Sequence, residues 1–210
     1  MADNIDVVYY INLDHRDDRK IEFLREMAKT RINNIHRISA IYEKDRGHLG
    51  CTKSHIKTLE TFINSKYQNC IVFEDDFEFT TDPLVILNEF FKNNINYDVC
   101  MLSGNVSDVR EISEHNFIKK VYSVQTSSGY MVSKKFAPTL LQNLKEGCEK
   151  LEKSYNEGTP EKPYEHYYAL DQYWSLNLQP ATNWYIFDPK LGKQRRSYSD
   201  IDQRIIDLGL

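Results

Sequence analysis

The chain has 210 residues, of which 27 are Lys or Arg and 31 are Asp or Glu, leaving a formal net charge of −4. That length suits one domain that buries its own core, and the acid excess excludes a protein that grips nucleic acid or anionic lipid through bulk charge. Hydrophobic residues at 40% and aromatics at 12% exclude a disordered chain, and no apolar run approaches the roughly 18 residues of a membrane span.

The start, MADNIDVVYYINL, has neither the basic region nor the small-residue cleavage site of a secretory signal. Residues 5–13 (IDVVYYINL) are rich in β-branched and aromatic side chains, as in a buried strand. DHRDDRK follows, and Ile21, Leu24 and Met27 then recur at helical spacing. A weaker strand over 34–41 leads into a charged loop. Ile56, Leu59 and Ile63 predict a helix over 51–65, with Gly47 and Gly50 giving the preceding loop freedom of backbone angle. Residues 70–73 form a short apolar run that stops at Glu74, Asp75 and Asp76. Asp82-Pro83 opens a helix to about residue 91. Strands are expected over 97–102, 119–125 and 129–132, a helix over 133–153, and a loop over 154–168 (SYNEGTPEKPYEHYY). The apolar run at 185–188 gives way to a polar, basic tail. The alternation of strand and helix argues for an α/β layered sheet, largely parallel in its first half.

Four cysteines, Cys51, Cys70, Cys100 and Cys148, lie far apart with no C-x-x-C pair. They read as isolated thiols of a reducing compartment, neither a disulfide frame nor a zinc site, so the expected location is the cytoplasm.

The stretch IVFEDDFEF (residues 71–79) carries the most chemical information. In extended chain Glu74 and Asp76 face one way and Asp75 the other. Carboxylates just past a strand's C-terminal end lie where open α/β sheets bind ligands. Three adjacent acids repel one another unless a cation joins them, and a hard divalent ion shared with phosphate oxygens meets that need. A solvated acidic turn is the competing reading, and on the residues alone it accounts for them equally well.

Four ordered segments resemble glycosyltransferase family 25, the group that includes lipooligosaccharide and procollagen galactosyltransferases. They are the first strand through Asn12 and Leu13 with Arg16 and Arg19, the stretch LGCTKSH (49–55), Phe73 to Asp76, and Ser128-Gly129-Tyr130. Asp171 and the terminal YSDI (198–201) also fit. The resemblance implies a GT-A-type, Rossmann-like sandwich with a mostly parallel central sheet. Residues 1–190 would be a single transferase domain, and 191–210 a tail that forms a lid over the donor diphosphate.

The implied activity is a metal-dependent, inverting transfer of a hexose, galactose or glucose, from a UDP-sugar to a hydroxyl of a glycan or a hydroxylysine-type protein. Glu74 and Asp76 would hold Mn²⁺ or Mg²⁺, which stabilises the departing nucleoside diphosphate as a Lewis acid. Asn12 and Leu13 would lie near the base, with Arg16 and Arg19 on the base or phosphates; local salt bridges are as good an account of both arginines. Lys53, Ser54 and His55 would offer phosphate the first turns of a helix, although His55 reads at least as well as a core histidine and Ser54 as a cap. Gly129 and Tyr130 would lie beside the donor sugar, or Tyr130 simply packs.

Asp171, among Tyr168, Tyr173 and Trp174, would be the base that takes the acceptor's proton, or else a metal ligand or a helix cap. Glu165 and Asp188 are weaker substitutes. Arg195, Arg196, Ser199 and Asp200 would close over the diphosphate. The partners are then a nucleotide sugar and a hydroxyl acceptor, with no nucleic acid and no transmembrane segment. Lacking a leader, a tandem domain or a retention tail, the chain is expected to be a free-standing enzyme of bacterial or viral type. Two other classes use the same acids: a metal-dependent phosphohydrolase, for which the 6 histidines are too scattered, and a nucleotide-sugar-binding module without catalysis.

Overall fold

Every residue of β1 (Val7–Asn12) is buried, because helices cover both faces of the sheet it belongs to. Val7, Tyr9 and Ile11 join an apolar cluster with Leu59 and Phe62 of α2 (Gly47–Ile63), Leu140 and Leu144 of α4 (Ala137–Asn156), and Trp174 of α5 (Leu170–Asn177). Val8 and Tyr10 join the opposite cluster, with Phe23 and Met27 of α1 (Asp17–Ala28) and Leu87 and Phe90 of α3 (Pro83–Lys92). A strand covered on both sides needs apolar residues at odd and even positions alike, hence the unbroken apolar run in the sequence. The computed structural model describes residues 4–158 and 167–201, and the backbone of 204–206.

The strands that follow, up to β9, are β2 (Ile35–Ser39), β3 (Asn69–Glu74), β4 (Phe77–Phe79), β5 (Val99–Met101), β6 (Asn105–Ile112), β7 (His115–Gln125), β8 (Gly129–Ser133) and β9 (Trp184–Phe187). Eight strands, all of these but β4 together with β1, form one sheet in the order β2-β1-β3-β8-β5-β9-β7-β6. β1 is parallel to β2 and β3, and β5 to β9, whereas β8 opposes β3 and β5, and β7 opposes β9 and β6. Six strands therefore run one way and only β8 and β7 the other, the mostly parallel, Rossmann-like α/β arrangement expected from the sequence.

Several local expectations shift. The helix expected from residue 51 begins four residues earlier, so Gly47 and Gly50 lie within α2. Their smallness serves close approach rather than loop freedom: a Cβ at Gly47 would come 2.5 Å from Ile201 Cα, and one at Gly50 2.6 Å from the Ile41 carbonyl oxygen. The helix expected over 133–153 starts only at Ala137; Ser133 still belongs to β8, opposite Asn69, and Lys134 reaches back to another helix. Its Nζ caps the C-terminal end of α2, donating to the carbonyls of Phe62, Ile63 and Ser65 at 2.7–2.8 Å. Asp82 caps α3 as expected, accepting from the Leu84 N–H at 3.0 Å.

The topology sets a polar rim beside the ends of two parallel strands. Glu74, last in β3, pairs with Ile11 of β1, so Asn12 and Leu13 emerge next to Glu74, Asp75 and Asp76. The chain then folds into β4, which pairs antiparallel with β10 (Gly192–Gln194), Phe77 opposite Gln194. The tail thus arrives at the acidic turn, and β11 (Ser197–Ser199) pairs with β12 (Arg204–Ile206) beyond it.

Candidate active site

A cleft of about 690 Å³, counted with its open mouth, lies at this rim. It is lined from β1 by Asn12 and Leu13, from α1 by Arg19, from α2 by Gly47, Cys51, Ser54 and His55, and from β3 and its turn by Glu74, Asp75 and Asp76. Gln194, Ser199, Asp200 and Ile201 of the tail close one side.

The expected alternation of Glu74 and Asp76 against Asp75 does not occur. β3 ends at Glu74 and the next two residues form a turn, so both aspartates come round to one cation. Arg19 Nη1 donates to Asp75 Oδ1 at 2.8 Å, and Nη2 donates to Asp76 Oδ2 at 2.7 Å. Asp75 Oδ2 also accepts from Asn12 Nδ2 at 2.7 Å, and Asp76 Oδ2 from Gln194 Nε2 at 3.0 Å. Among the described residues, Asp76 Oδ1 and Arg19 Nε are buried with no hydrogen-bond partner. Burial, opposed by Arg19 and reinforced by Asp76, pushes Asp75 up to about 6. Burial also raises Asp76, with the Arg19 charge pulling against it and Glu74 pushing with it.

Glu74 has a different setting. His55 Nε2 lies 3.3 Å from its Oε1, which also accepts from the Ser127 hydroxyl. Burial opposes the Glu74 charge, but the hydrogen bond and electrostatic pull of His55, with Ser127, outweigh it and hold the carboxyl below its ordinary range. His55 is fully buried, and its Nδ1 lies 3.0 Å from the Tyr130 hydroxyl. It is a core histidine, fixed by two side chains rather than by a backbone carbonyl, yet its ring reaches the cleft.

The other sequence-selected residues fall into distinct places. Asn12 is saturated: its amide donates to Asp75 and to the Arg16 carbonyl, and its Oδ1 accepts from Arg37 Nε at 2.8 Å. It positions Asp75. Arg16 binds Asp18 and, from its Nη1, Asp200 of the tail. Lys53, Ser54 and His55 are not in the first turn of α2, which begins at Gly47. Lys53 pairs with Glu43 at 2.7 Å and Glu152 at 3.0 Å, while Ser54 Oγ bridges the Ile41 N–H and the Gly50 carbonyl. Gly129 is required by packing, since a Cβ there would lie 2.7 Å from the Phe77 ring.

Asp171, second residue of α5, accepts from the Thr126 N–H at 2.9 Å through Oδ2 and from the Gln172 N–H through Oδ1. Thr126 has φ +76°, a left-handed conformation that a β-branched residue adopts only when held. Asp171 therefore pins the loop 126–128 whose Ser127 binds Glu74. Glu165 lies outside the described residues. Asp188 forms an ion pair with Lys119 at 2.7 Å.

The tail packs on the acidic turn. Arg195 donates from its backbone N–H to the Asp76 carbonyl at 2.7 Å and from Nη2 to the Asp75 carbonyl at 3.2 Å, and it pairs with Glu22 at 2.9 Å. Ser197 Oγ accepts from Arg19 at 2.7 Å.

Cys51 and Gln194 are among the members of the site that escape sequence reasoning. Cys51 reads from the sequence as an isolated thiol, but Cys51, His55 and Glu74 bring one ligand atom each to within 4.8 Å of one another. The i, i+4 spacing of Cys51 and His55 on a helix is the available signal. Gln194 gives no signal, because only the pairing of β10 with β4 brings it to Asp76.

The charge balance bears on a cation. The lining carries Glu43, Glu74, Asp75, Asp76 and Asp200 against Arg19; Glu43 is paired with Lys53 and Asp200 with Arg16. Asp75 and Asp76 are left to share the Arg19 guanidinium, and Glu74 faces His55. A lining with more acid than base disfavours a bare diphosphate, and among the described residues nothing donates to the buried Asp76 Oδ1. The residues fit a divalent cation at the acidic turn.

Among the described residues no helix is long and apolar enough to cross a membrane. A comparison with curated proteins gives no match. Among solved structures, the crystal structure of A197 from STIV is similar at 13% identity, covering 95% of this chain and 92% of that one with a TM-score of 0.48. Mannose-1-phosphate geranyltransferase from Thermus thermophilus is similar at 10% identity, covering 91% and 74%, with a TM-score of 0.45. The profile of glycosyltransferase family 25, described as LPS biosynthesis protein, matches residues 45–153. That match takes in just over half of the chain, including α2 and the acidic turn, and the chain belongs to glycosyltransferase family 25.

Proposed function

We propose that this protein transfers a hexose, galactose or glucose, from a UDP-sugar to a hydroxyl acceptor on a glycan or protein, with inversion at the anomeric carbon. The observation that carries the reading is the acidic turn at the C-terminal ends of β1 and β3, with more carboxylate than cation and an Asp76 Oδ1 that has no partner among the described residues, in a chain of this family.

In this reading Asp76 and Glu74 hold Mn²⁺ or Mg²⁺. When bound, the ion supplies Lewis-acid stabilisation of the charge that grows on the departing nucleoside diphosphate. Arg19 orients Asp75 and Asp76 and favours their charged forms against the cost of burial, and Asn12 fixes Asp75 beside Leu13, the proposed place of the base end of the nucleotide. The acceptor oxygen attacks the anomeric carbon as the bond from that carbon to the diphosphate oxygen breaks, and its proton passes to a carboxylate. Asp171 is the proposed acceptor of that proton, with Glu165 as its substitute. Its two backbone hydrogen bonds leave each oxygen a further lone pair and hold the carboxylate still. The tail, tied down through Gln194, Arg195, Ser197 and Asp200, is the proposed lid.

The test is turnover. Release of UDP from UDP-galactose or UDP-glucose in the presence of a hydroxyl acceptor should require Mn²⁺ or Mg²⁺ and be abolished in Asp76→Ala and Asp171→Ala. Undiminished turnover in Asp76→Ala, or none with any UDP-sugar, contradicts the proposal.

A further inference from the structure

Cys51 and His55 stand one turn apart on α2 and face the end of β3, where Glu74 completes a group of three different donors. Their ligand atoms lie within 4.8 Å of one another, and His55 Nε2 and Glu74 Oε1 are already at 3.3 Å. A tetrahedral zinc, with bonds of roughly 2.0 Å to nitrogen and oxygen and 2.3 Å to sulfur, holds its ligands roughly 3.3–3.8 Å apart. Only Cys51 must settle inward, by about an ångström, to meet that spacing. The outer contacts are also in place: the Tyr130 hydroxyl lies 3.0 Å from His55 Nδ1, and Ser127 hydrogen-bonds Glu74. Metal-bound histidine is held in this way, its second ring nitrogen donating to an oxygen that fixes ring and tautomer.

We propose that Cys51 Sγ, His55 Nε2 and the Glu74 carboxylate form a binding site for a thiophilic divalent cation, Zn²⁺ foremost, adjoining the proposed hard-cation site at the acidic turn and sharing Glu74 with it. Thiolate and imidazole select zinc over Mn²⁺ or Mg²⁺, whose preference is for oxygen. Binding replaces the S–H bond of Cys51 by a sulfur–metal bond, with the proton leaving to solvent, and His55 exchanges its Nε2 hydrogen bond to Glu74 for a nitrogen–metal bond, its remaining ring proton on Nδ1 facing the Tyr130 hydroxyl. Three protein ligands leave the fourth position open, and all three residues line the cleft, so the ion faces whatever the cleft admits. Glu74 is common to both sites, so a zinc ion here draws that carboxylate away from the acidic turn. The inference rests on the donor set and does not depend on the transfer activity.

Cobalt(II) is the probe, because cobalt–thiolate bonding gives a charge-transfer absorption that oxygen and nitrogen ligands do not. Titrated into the full-length, metal-stripped, reduced protein, cobalt should develop that band to one equivalent per chain, and one equivalent of zinc should erase it. The band should be lost in Cys51→Ser and His55→Gln and kept in Cys148→Ser. Cobalt affinity should fall about tenfold in Tyr130→Phe, which removes only the outer contact. Asp76→Asn strikes the proposed hard-cation site alone and should keep the band, so the two readings fail separately. A wild-type protein without the band, or a band unchanged in Cys51→Ser, overturns the proposal. A second measurement needs no substitution: zinc should block alkylation of Cys51 in the wild-type chain, read by peptide mass spectrometry, and equal labelling with and without zinc overturns it as well.

Discussion

Two buried regions of the same sheet solve the problem of polar groups in opposite ways. In the middle, around β5 and β9, Trp174, Trp184, Val121, Val124 and Ile186 pack as an apolar block; the indole Nε1 atoms of Trp174 and Trp184 find no partner among the described residues, while the buried amide and hydroxyl side chains there are neutral and paired. Gln179, fully buried, donates to the Val124 carbonyl and accepts from its N–H, both at 2.8 Å, and Ser103 bonds Ser128 at 2.7 Å. At the rim beyond β1 and β3, equally buried groups are ionisable: Asp75, Asp76 and Arg19, with His55 against Glu74. Buried ion pairs seldom improve stability over an apolar replacement. Keeping Asp75 and Asp76 on one guanidinium there is a stability liability, which the proposed role in holding a cation would explain.

The contrast is sharpest in Arg19→Met. It leaves two buried carboxylates unpaired and should destabilise the fold by about 3–5 kcal/mol in denaturant unfolding. Adding Asp75→Asn and Asp76→Asn to that variant should restore much of the loss while nucleotide binding stays absent; no recovery would mean that the cluster serves stability alone. In the middle region, Trp184→Ala should cost a similar amount, about 3–5 kcal/mol, through its cavity, yet the folded protein should bind nucleotide as the wild type does.

A somewhat smaller effect follows from protons. Asp75 titrates at about 6 in the fold against 3.8 when unfolded, so the native state holds a proton that the unfolded chain releases. The stability linked to this group is full below pH 3.8 and lost as pH rises through about 6. In metal-free buffer the wild type should lose about 3 kcal/mol relative to Asp75→Asn across that window; parallel pH profiles would place the carboxyl in solvent. The smallest effect lies far from both regions: Asp82→Ala, which removes the cap of α3, should cost about 1 kcal/mol in thermal or denaturant unfolding and leave ligand binding untouched.

What the sequence discloses follows the same divide. Apolar runs mark β1, β3 and β9 because burial on both faces demands them, and Asp82-Pro83 marks α3 because capping is local chemistry. β6 escapes, since an exposed edge strand such as NVSDVREI shows no apolar pattern. The rim is legible as a set of residues but not as an arrangement. Whether Asp75 joins Asp76 depends on a turn after Glu74 and on Arg19, 56 residues before Asp75 in the chain, which no local spacing encodes. The same holds for Cys51, whose partners come from one helical turn and from a different strand, and for Asp171, whose hydrogen bond to Thr126 runs to the backbone of a distant loop.

The most direct measurement is calorimetric titration of UDP into the wild-type protein with and without Mn²⁺, repeated with Asp76→Asn. Binding that appears only with manganese and vanishes in Asp76→Asn is the expected result. Equal binding with and without manganese, or full manganese-dependent affinity in Asp76→Asn, would contradict a cation held at the acidic turn.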